Sequence, residues 1–195
     1  MTRFLALTLT FALALPLAAD GTSGTYKIDA AHSAVLFRIK HLGIAHFYGL
    51  FRSFSGQVVW DEADMSKSKI SMSVDAESVV TGDKKRDAHV KSPDFLDTKQ
   101  FATLSFESDK IEKKEGALYN VTGKLTVHGV TKEIAFVFEL TGSGDDPWGG
   151  FRLGGEAIVE IKRSDFGMKH MLDKLGDDVR LTISVEGVRE QGEKK

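Results

Sequence analysis

Apolar and polar residues alternate along most of this chain with a period of two, which is the pattern of β-strands that bury one face. In the stretch from Ser33 to Lys40, for example, Val35, Phe37 and Ile39 share one side, and charged residues lie on the other. Eight such stretches follow a short one at residues 26–29, and they lie at 33–40, 54–61, 70–77, 104–106, 119–127, 134–140, 151–161 and 179–185. Short connections between most of them predict antiparallel neighbours. The pattern therefore predicts an all-β domain, either a barrel or a sandwich.

Three segments interrupt the alternation and are interpreted as caps over the mouth of a barrel. The first is Leu42–Leu50, and the second is Lys84–Lys91, which is charged and compatible with a helix. The third is Met168–Leu175, whose apolar residues recur at spacings of three and four and predict a short amphipathic helix. A further segment, Gly142–Gly150, consists mainly of turn-forming residues and predicts a flexible hairpin connection.

The interior of a closed eight-stranded barrel is just wide enough to be filled with side chains or to hold one small ligand. The inward positions mix large aromatic residues with glycine and alanine, and this mixture is compatible with a solid core and with a channel. Because these positions carry almost no ionisable residue, we expect any molecule that shares the interior to be apolar. The candidate lipid-binding residues, assigned by strand phase alone, are Val35, Phe37, Ile39, Phe54, Trp60, Met72, Val74, Phe106, Tyr119, Phe136, Phe138, Val159, Ile183 and Val185.

The first residues of the chain are expected to be absent from the mature protein. Arg3 supplies a positive charge, the stretch from Phe4 to Leu17 has no charged residue, and two alanines follow it. Together these features form the pattern of a cleavable secretory signal peptide, and the uncharged stretch is too short to cross a bilayer as a helix. The predicted division is a signal peptide at residues 1–19, a β-barrel domain at 20–190 and a C-terminal tail at 191–195.

The cysteine content, the net charge and the apolar stretches of the chain exclude several classes of function. The chain contains no cysteine, which excludes disulfides, thiolate metal sites and thiol catalysis. Its formal net charge of −2 argues against nucleic acid as a partner. No apolar stretch of spanning length follows the predicted signal peptide, so the mature domain is predicted to have no membrane span.

The ionisable residues form no recognisable catalytic or metal-binding motif. The six histidines never occur at HxH, HxxxH or HExxH spacing, so the sequence predicts no metal site, no cofactor and no catalytic residue. An enzyme acting on a bound lipid would need an ionisable group at the channel, for which His32, His41 and Asp165 are the candidates. The charged segment from Thr81 to His89 is open to two interpretations, a site for a ligand headgroup or a solvated helix face.

Several motifs occur in an order that resembles the YceI-like family. They are Asp29-x-x-His32-Ser33, Gly49-Leu50-Phe51-Arg52-x-Phe54-x-Gly56, Ser78-Val79-x-Thr81, Arg86-Asp87-x-His89-x-x-Ser92-Pro93-Asp94-Phe95, Gly123-x-Leu125-Thr126-x-His128-Gly129-Val130-Thr131-Lys132, Arg163-Ser164-Asp165-Phe166-Gly167-Met168 and Gly176-Asp177-x-Val179. The resemblance implies an eight-stranded antiparallel, extended lipocalin-like β-barrel with short capping helices, exported to the bacterial periplasm. It also implies that the barrel encloses a long isoprenoid chain, such as a quinone or polyprenyl tail, or another fatty molecule. It assigns no catalytic residue.

The function predicted from these observations is that of a periplasmic binding or carrier protein for an isoprenoid or another long-chain apolar ligand, and not that of an enzyme. Two alternatives stay open. One is an enzyme that acts on a bound isoprenoid, and the other is a stress or interaction protein whose barrel is filled and holds no ligand. The sequence does not determine the length or headgroup of the lipid, and it leaves a homodimer open.

Overall fold

The computed structural model describes residues 21–191, so the predicted signal peptide and residues 192–195 lie outside the described part of the chain. The strands are β1 (Gly24–Ile28), β2 (Ala34–His41), β3 (Ala45–Phe51), β4 (Phe54–Trp60), β5 (Lys69–Asp75), β6 (Val79–Val80), β7 (Thr103–Lys113), β8 (Leu118–Val127), β9 (Val130–Asp145), β10 (Phe151–Lys162) and β11 (Leu175–Arg189). An α-helix, α1 (Lys84–Lys91), and 3₁₀ turns at Met65–Lys67, Ala76–Ser78 and Arg163–Phe166 complete the secondary structure. No helix between residues 21 and 191 is both long and apolar enough to cross a bilayer.

Eight antiparallel strands close into a ring in the order β1–β4–β5–β7–β8–β9–β10–β11, which confirms the predicted barrel. The ring closes through β1, where Tyr26 lies opposite Val58 of β4 on one side and opposite Arg189 of β11 on the other. Strand β2, which the sequence pattern counted among the eight long strands, lies outside this ring. It pairs with the first part of β11, with Ile39 opposite Val179, and continues into β3 and β6.

The barrel therefore has two ends with different walls. Strand β1 closes the end at which the last residues of β11 lie, from Gly187 to Arg189. Strands β2 and β3 widen the opposite end, where His41 pairs with Leu175. We call these the closed end and the wide end.

The turn between β8 and β9 shows how local sequence sets the strand order. His128 and Gly129 have φ values of 51° and 72°, so both central residues of this two-residue turn are left-handed. Such turns match the right-handed twist of a hairpin, and glycine or a polar residue tolerates the left-handed conformation best. The ring of His128 is in addition within 3.1 Å of the carbonyl oxygen of Phe166, measured from Nδ1.

The structure corrects the prediction that Leu42–Leu50 is a cap. Most of this segment is strand β3, which forms a hairpin with β2 through a turn at Leu42 and Gly43, both with positive φ. The alternation is not visible in β3 because apolar residues also occupy its outer face. Tyr48, which is 58 % exposed, and Leu50, which is exposed as well, lie on that face.

The predicted flexible connection at Gly142–Gly150 is shorter than expected. Its first residues belong to β9, which pairs with β10 as far as Asp145 opposite Phe151. The remaining turn is held by the carboxylate of Asp146, which accepts hydrogen bonds from the backbone N–H groups of Trp148 at 3.0 Å and Gly150 at 2.7 Å.

The helix predicted at Lys84–Lys91 is confirmed, whereas the one predicted at Met168–Leu175 is wrong. Helix α1 begins after Asp83, whose carboxylate accepts a hydrogen bond from the N–H of Arg86 at 2.9 Å and caps the first turn. The Met168–Leu175 segment forms turns over residues 170–174 and enters β11 at Leu175. The buried guanidinium of Arg163 donates to the carbonyls of Met168, His170, Leu175 and Gly176 at 2.8–3.2 Å. Two of these, the carbonyls of Met168 and His170, are groups that a helix over this segment would use internally.

The closed end of the barrel is filled with side chains. Trp60 and Tyr119 pack edge to face with ring centroids 4.7 Å apart, and the ring of Phe138 lies 6.2 Å from Trp60. Gly155 makes room for Phe138, because a Cβ atom at position 155 would lie 1.9 Å from Cζ of that ring. Val121 belongs to the same cluster and is fully buried. The solid core that the sequence left open is therefore present in this half of the barrel.

An ion-pair cluster centred on Arg152 ties together three segments at the closed end. The Arg152 guanidinium lies 2.9 Å from the carboxylate of Asp29 and 3.0 Å from that of Asp146, and it also contacts Glu186. Hydrogen bonds from His32 and from Arg152 lower the pKa of Asp29 to about 2. These contacts connect the end of β1 with the β9–β10 turn and β11.

Acidification is expected to weaken the fold through Asp29. The pKa of this carboxyl is about 2 in the folded protein and about 3.8 in an unfolded chain. Its contribution is therefore present above about pH 4 and is lost as the pH falls toward about 2, at a cost of about 1–2 kcal/mol for a partly solvated group. Urea unfolding of the wild type and of Asp29→Asn across this range measures the effect. The difference between the two proteins should shrink on acidification, and a constant difference would contradict the assignment.

Candidate functional site

A cavity of about 570 Å³ lies inside the wide end of the barrel. Strands β2, β3, β5, β7, β8, β10 and β11 form its walls, and α1 with the segments that follow α1 and β10 covers it. Cavities that bind small molecules span roughly 300–1,000 Å³, so this one has the size of a ligand site. The barrel is thus filled at one end and hollow at the other.

The sequence-predicted residues are divided between three environments. Of the predicted lipid-binding residues, those that line the cavity are Val35, Phe37, Ile39, Met72, Val74, Phe106 and Ile183. A deeper void of about 60 Å³ is lined by Phe136, Phe138, Val159 and Val185 together with Met72, Phe106 and Ile183. The remaining three, Phe54, Trp60 and Tyr119, belong to the packed clusters and line neither space. The assignment of these residues as ligand contacts stays a prediction.

The alternation of strand residues does not identify every residue that lines the cavity. Further apolar lining residues are Phe47, Phe51, Val90, Phe95, Leu96, Leu104, Leu125, Val127, Ile161, Met168, Met171, Leu175, Val179 and Leu181. Several of them, including Leu104, Leu125 and Leu181, lie on inward faces that the alternation identifies. Others, such as Val90 and Phe95, come from α1 and the loop after it, where no period-two signal exists.

Most of the polar groups of the cavity lie at its rim. His41 and His46 lie at the β2–β3 hairpin, Arg86 and His89 lie on α1, and all four residues are exposed. Arg163 and Ser105 also line the cavity and are not exposed. Arg163 is only 2 % exposed, and its hydrogen bonds go to backbone carbonyls. Burial lowers the pKa of its guanidinium from the usual value. An occupant would therefore meet apolar groups inside and charged or imidazole groups at the mouth.

Arg86 is held at this rim by its neighbours. Its guanidinium lies over the ring of Phe47, 4.2 Å from the centroid, and donates to the hydroxyl and the carbonyl of Thr81 at 3.1 and 2.8 Å. The hydroxyl of Thr81 also donates to Asp87 and lowers the pKa of that carboxyl. The Thr81–His89 segment is consequently more than a solvated helix face, since two of its side chains reach the cavity.

The candidate residues for an enzymatic reaction are not brought together. His41 lines the cavity at the rim, whereas His32 forms an ion pair with Asp29 at the closed end. Asp165 is exposed in the 3₁₀ turn after β10, and it is not among the residues that line the cavity within the described part of the chain. The geometry thus gives these three residues no shared site.

Comparisons with known proteins agree with this architecture. A family model described as the YceI-like domain matches residues 26–187. Protein YceI of Escherichia coli O157:H7 is 41 % identical over 185 residues, which cover 94 % of this chain and 96 % of that protein. The crystal structure of BcnA from Burkholderia cenocepacia superposes with a TM-score of 0.75 at 27 % identity and covers 82 % of this chain and 98 % of that one. A polyisoprenoid-binding domain from Saccharophagus degradans shares the fold, with a TM-score of 0.66 at 16 % identity over 85 % of this chain and 98 % of its own.

Proposed function

This chain belongs to the YceI-like family, and on that premise we propose that it is a periplasmic carrier that encloses the tail of an isoprenoid lipid in the wide end of its barrel. The observation that carries the proposal is the cavity of about 570 Å³ with an apolar wall and a polar rim. The polyisoprenoid-binding domain from Saccharophagus degradans has the same fold, which supports this choice of ligand class. The signal-peptide pattern of residues 1–19 supports the periplasmic location.

The volume of the cavity sets the length of tail that it holds. At about 30 Å³ for each carbon-sized group, as for a water molecule in the liquid, the cavity takes on the order of 20 carbons, or about four isoprene units. Each buried methylene contributes about 0.8 kcal/mol, so affinity should rise with tail length until this space is full. A longer tail would have to enter the void of about 60 Å³, which shares Met72, Phe106 and Ile183 with the cavity.

The rim supplies the place for the polar end of such a lipid. Arg86 and His89 of α1 and His41 and His46 of the β2–β3 hairpin surround the mouth and are exposed. A headgroup that stays at this level keeps its hydration, which avoids the cost of burying a polar group among apolar side chains. We therefore place the tail inside and the headgroup between α1 and the hairpin.

Organic extraction of the purified protein tests the proposal. The full-length chain is expressed in a bacterium, recovered from the periplasmic fraction, extracted and analysed by mass spectrometry. We expect an isoprenoid lipid at a yield approaching one molecule per protein. Recovery of no lipid, or of phospholipids in the proportions of the cell membrane, would contradict the ligand assignment. Retention of the protein in the cytoplasm with Met1 in place would contradict the location.

A further inference from the structure

Two clusters in the described part of the chain bring histidine and carboxylate side chains close enough to hold a metal ion. The first consists of His89, Asp94 and His170, and the second of Asp29, His32 and Glu186. In each cluster one ligand atom from every residue lies within 4.8 Å of the others. The two clusters differ in what already occupies the space between the ligands.

The second cluster already contains a cation. The guanidinium of Arg152 lies 2.9 Å from Asp29 and also contacts the carboxylate of Glu186, so it neutralises the two acids that would bind a metal. A divalent ion at this place would be repelled by the arginine and would have to break its ion pairs. This cluster is therefore a structural ion-pair network, and it serves as a control for the first cluster.

In the described part of the chain, no arginine or lysine forms an ion pair with the first cluster. Asp94 lies between two imidazoles, with one carboxylate oxygen 2.9 Å from Nε2 of His89 and the other 3.7 Å from Nδ1 of His170. Among residues 21–191, these two histidines are the only basic side chains in ion-pair distance of Asp94. Ligand atoms around a tetrahedral ion with bonds of about 2.0–2.1 Å lie roughly 3.3 Å apart. Small side-chain rotations would bring the three groups to this spacing.

The three ligands are held by separate parts of the fold. His89 lies in the last turn of α1, and Asp94 lies in the turn after the helix, where the N–H of Phe95 donates to the carbonyl of Ser92 at 3.0 Å. The backbone of His170 is fixed from the interior, because Arg163 donates to its carbonyl at 2.8 Å. The ring of Phe95 packs edge-on against both imidazoles, with centroid distances of 5.0 and 5.4 Å.

We propose that His89, Asp94 and His170 form a binding site for a divalent transition-metal ion of the zinc class. Two imidazoles and one carboxylate are ligands that suit Zn²⁺, Co²⁺, Ni²⁺ and Cu²⁺, and three protein ligands leave a coordination position open. The site lies at the cavity rim, because His89 and Phe95 both contribute to the cavity wall. The open position is thus available to water or to an oxygen atom of a molecule in the cavity. The proposal does not depend on the identity of that molecule.

The spacing of the histidines along the chain does not indicate this site. His89 and His170 are far apart in the chain and meet only because the turn after β10 folds against the segment that follows α1. Metal motifs read from sequence depend on ligands that share one helix or one turn.

Metal titration of the full-length mature protein, without an affinity tag and after treatment with a chelator, tests the proposal. Calorimetry with Zn²⁺ should show one saturable site per chain, and Co²⁺ should give the visible absorption bands of a four-coordinate ion with nitrogen and oxygen ligands. His170→Ala should abolish both signals. Asp94→Asn, which keeps the shape of the side chain, should weaken binding by about tenfold or more, as expected for loss of the charged ligand.

The other cluster supplies the matched control. His32→Ala removes an exposed histidine from the Arg152 network and should leave the single Zn²⁺ site intact. Circular dichroism of each variant separates loss of metal from loss of fold. Because the ligand side chains are 37–49 % exposed, we expect the variants to fold. Absence of saturable binding in the wild type would overturn the proposal. A site that persists in folded His170→Ala, or that disappears in folded His32→Ala, would also overturn it.

Discussion

Replacement of Val74 by tryptophan is expected to weaken ligand binding strongly and to leave the protein folded. Val74 is 6 % exposed, points inward from the middle of β5 and lines the cavity. The indole ring would enter empty space and would displace part of the bound tail. Loss of only two buried methylenes forfeits about 1.6 kcal/mol, so lipid recovery should fall by about tenfold or more. Extraction with mass spectrometry and urea unfolding of the same preparation measure the two effects.

Two further tryptophan variants make this result specific. Val121→Trp adds the same volume to the packed closed end, where Val121 is fully buried and lines neither void, and overpacking should cost about 1–3 kcal/mol. Ser73→Trp places the ring on the exposed outer face next to Val74 and should change neither stability nor lipid recovery. If Val74→Trp is destabilised as much as Val121→Trp, the space beside Val74 is filled in solution and the carrier proposal fails.

Replacement of Arg163 by methionine is expected to cause the largest loss of stability among the variants considered. The guanidinium is 2 % exposed and donates to four backbone carbonyls between Met168 and Gly176. Methionine fills a similar volume but leaves these carbonyls without a donor, and each buried unsatisfied group costs about 1–3 kcal/mol before water reaches it. We therefore expect a loss of about 3 kcal/mol in the free energy of unfolding, together with early proteolysis between residues 168 and 176.

Arginines at other positions provide the controls for this measurement. Arg180→Met breaks an exposed ion pair with Glu160, and such a pair contributes less than about 1 kcal/mol. Arg163→Lys keeps the charge, but three ammonium donors cannot reach four carbonyls, so its stability should lie between those of the wild type and Arg163→Met. Equal losses in Arg163→Met and Arg180→Met would show that the buried hydrogen bonds do not hold the turn.

The side of each strand that faces inward could be predicted from sequence, whereas its position along the barrel could not. Alternation placed Val74 inside and Ser73 outside, as the structure shows. The same pattern grouped Trp60 with Val74, although one belongs to the packed end and the other lines the cavity. A period of two identifies a face of the sheet and carries no information about the position of a residue along the barrel axis. Whether a position along the axis is packed or hollow depends on where β1 closes the ring, and this closure is set by the long-range pairing of β1 with β4 and β11.

The turn that follows β10 was mispredicted for a different physical reason. Met168 and Leu175 fit a helical spacing, and local preference alone would favour a helix there. Arg163 overrides this preference, because its guanidinium offers the backbone carbonyls a set of buried donors. An arginine that lies just before an apolar segment gives no signal for such a contact in a single sequence. His170, on the same turn, was missed as a metal ligand because its partners lie in a distant segment.

The packing of Trp60, Tyr119 and Phe138 blocks the closed end, so the barrel interior opens at the wide end and does not run through the molecule. A molecule held in a cavity with a single opening leaves through the opening by which it entered. A chain that enters tail first exits head first, and the same headgroup faces outward at loading and at unloading. Transfer between two membranes would then require the whole protein to turn its mouth from one to the other, with each occupant released before the next is admitted.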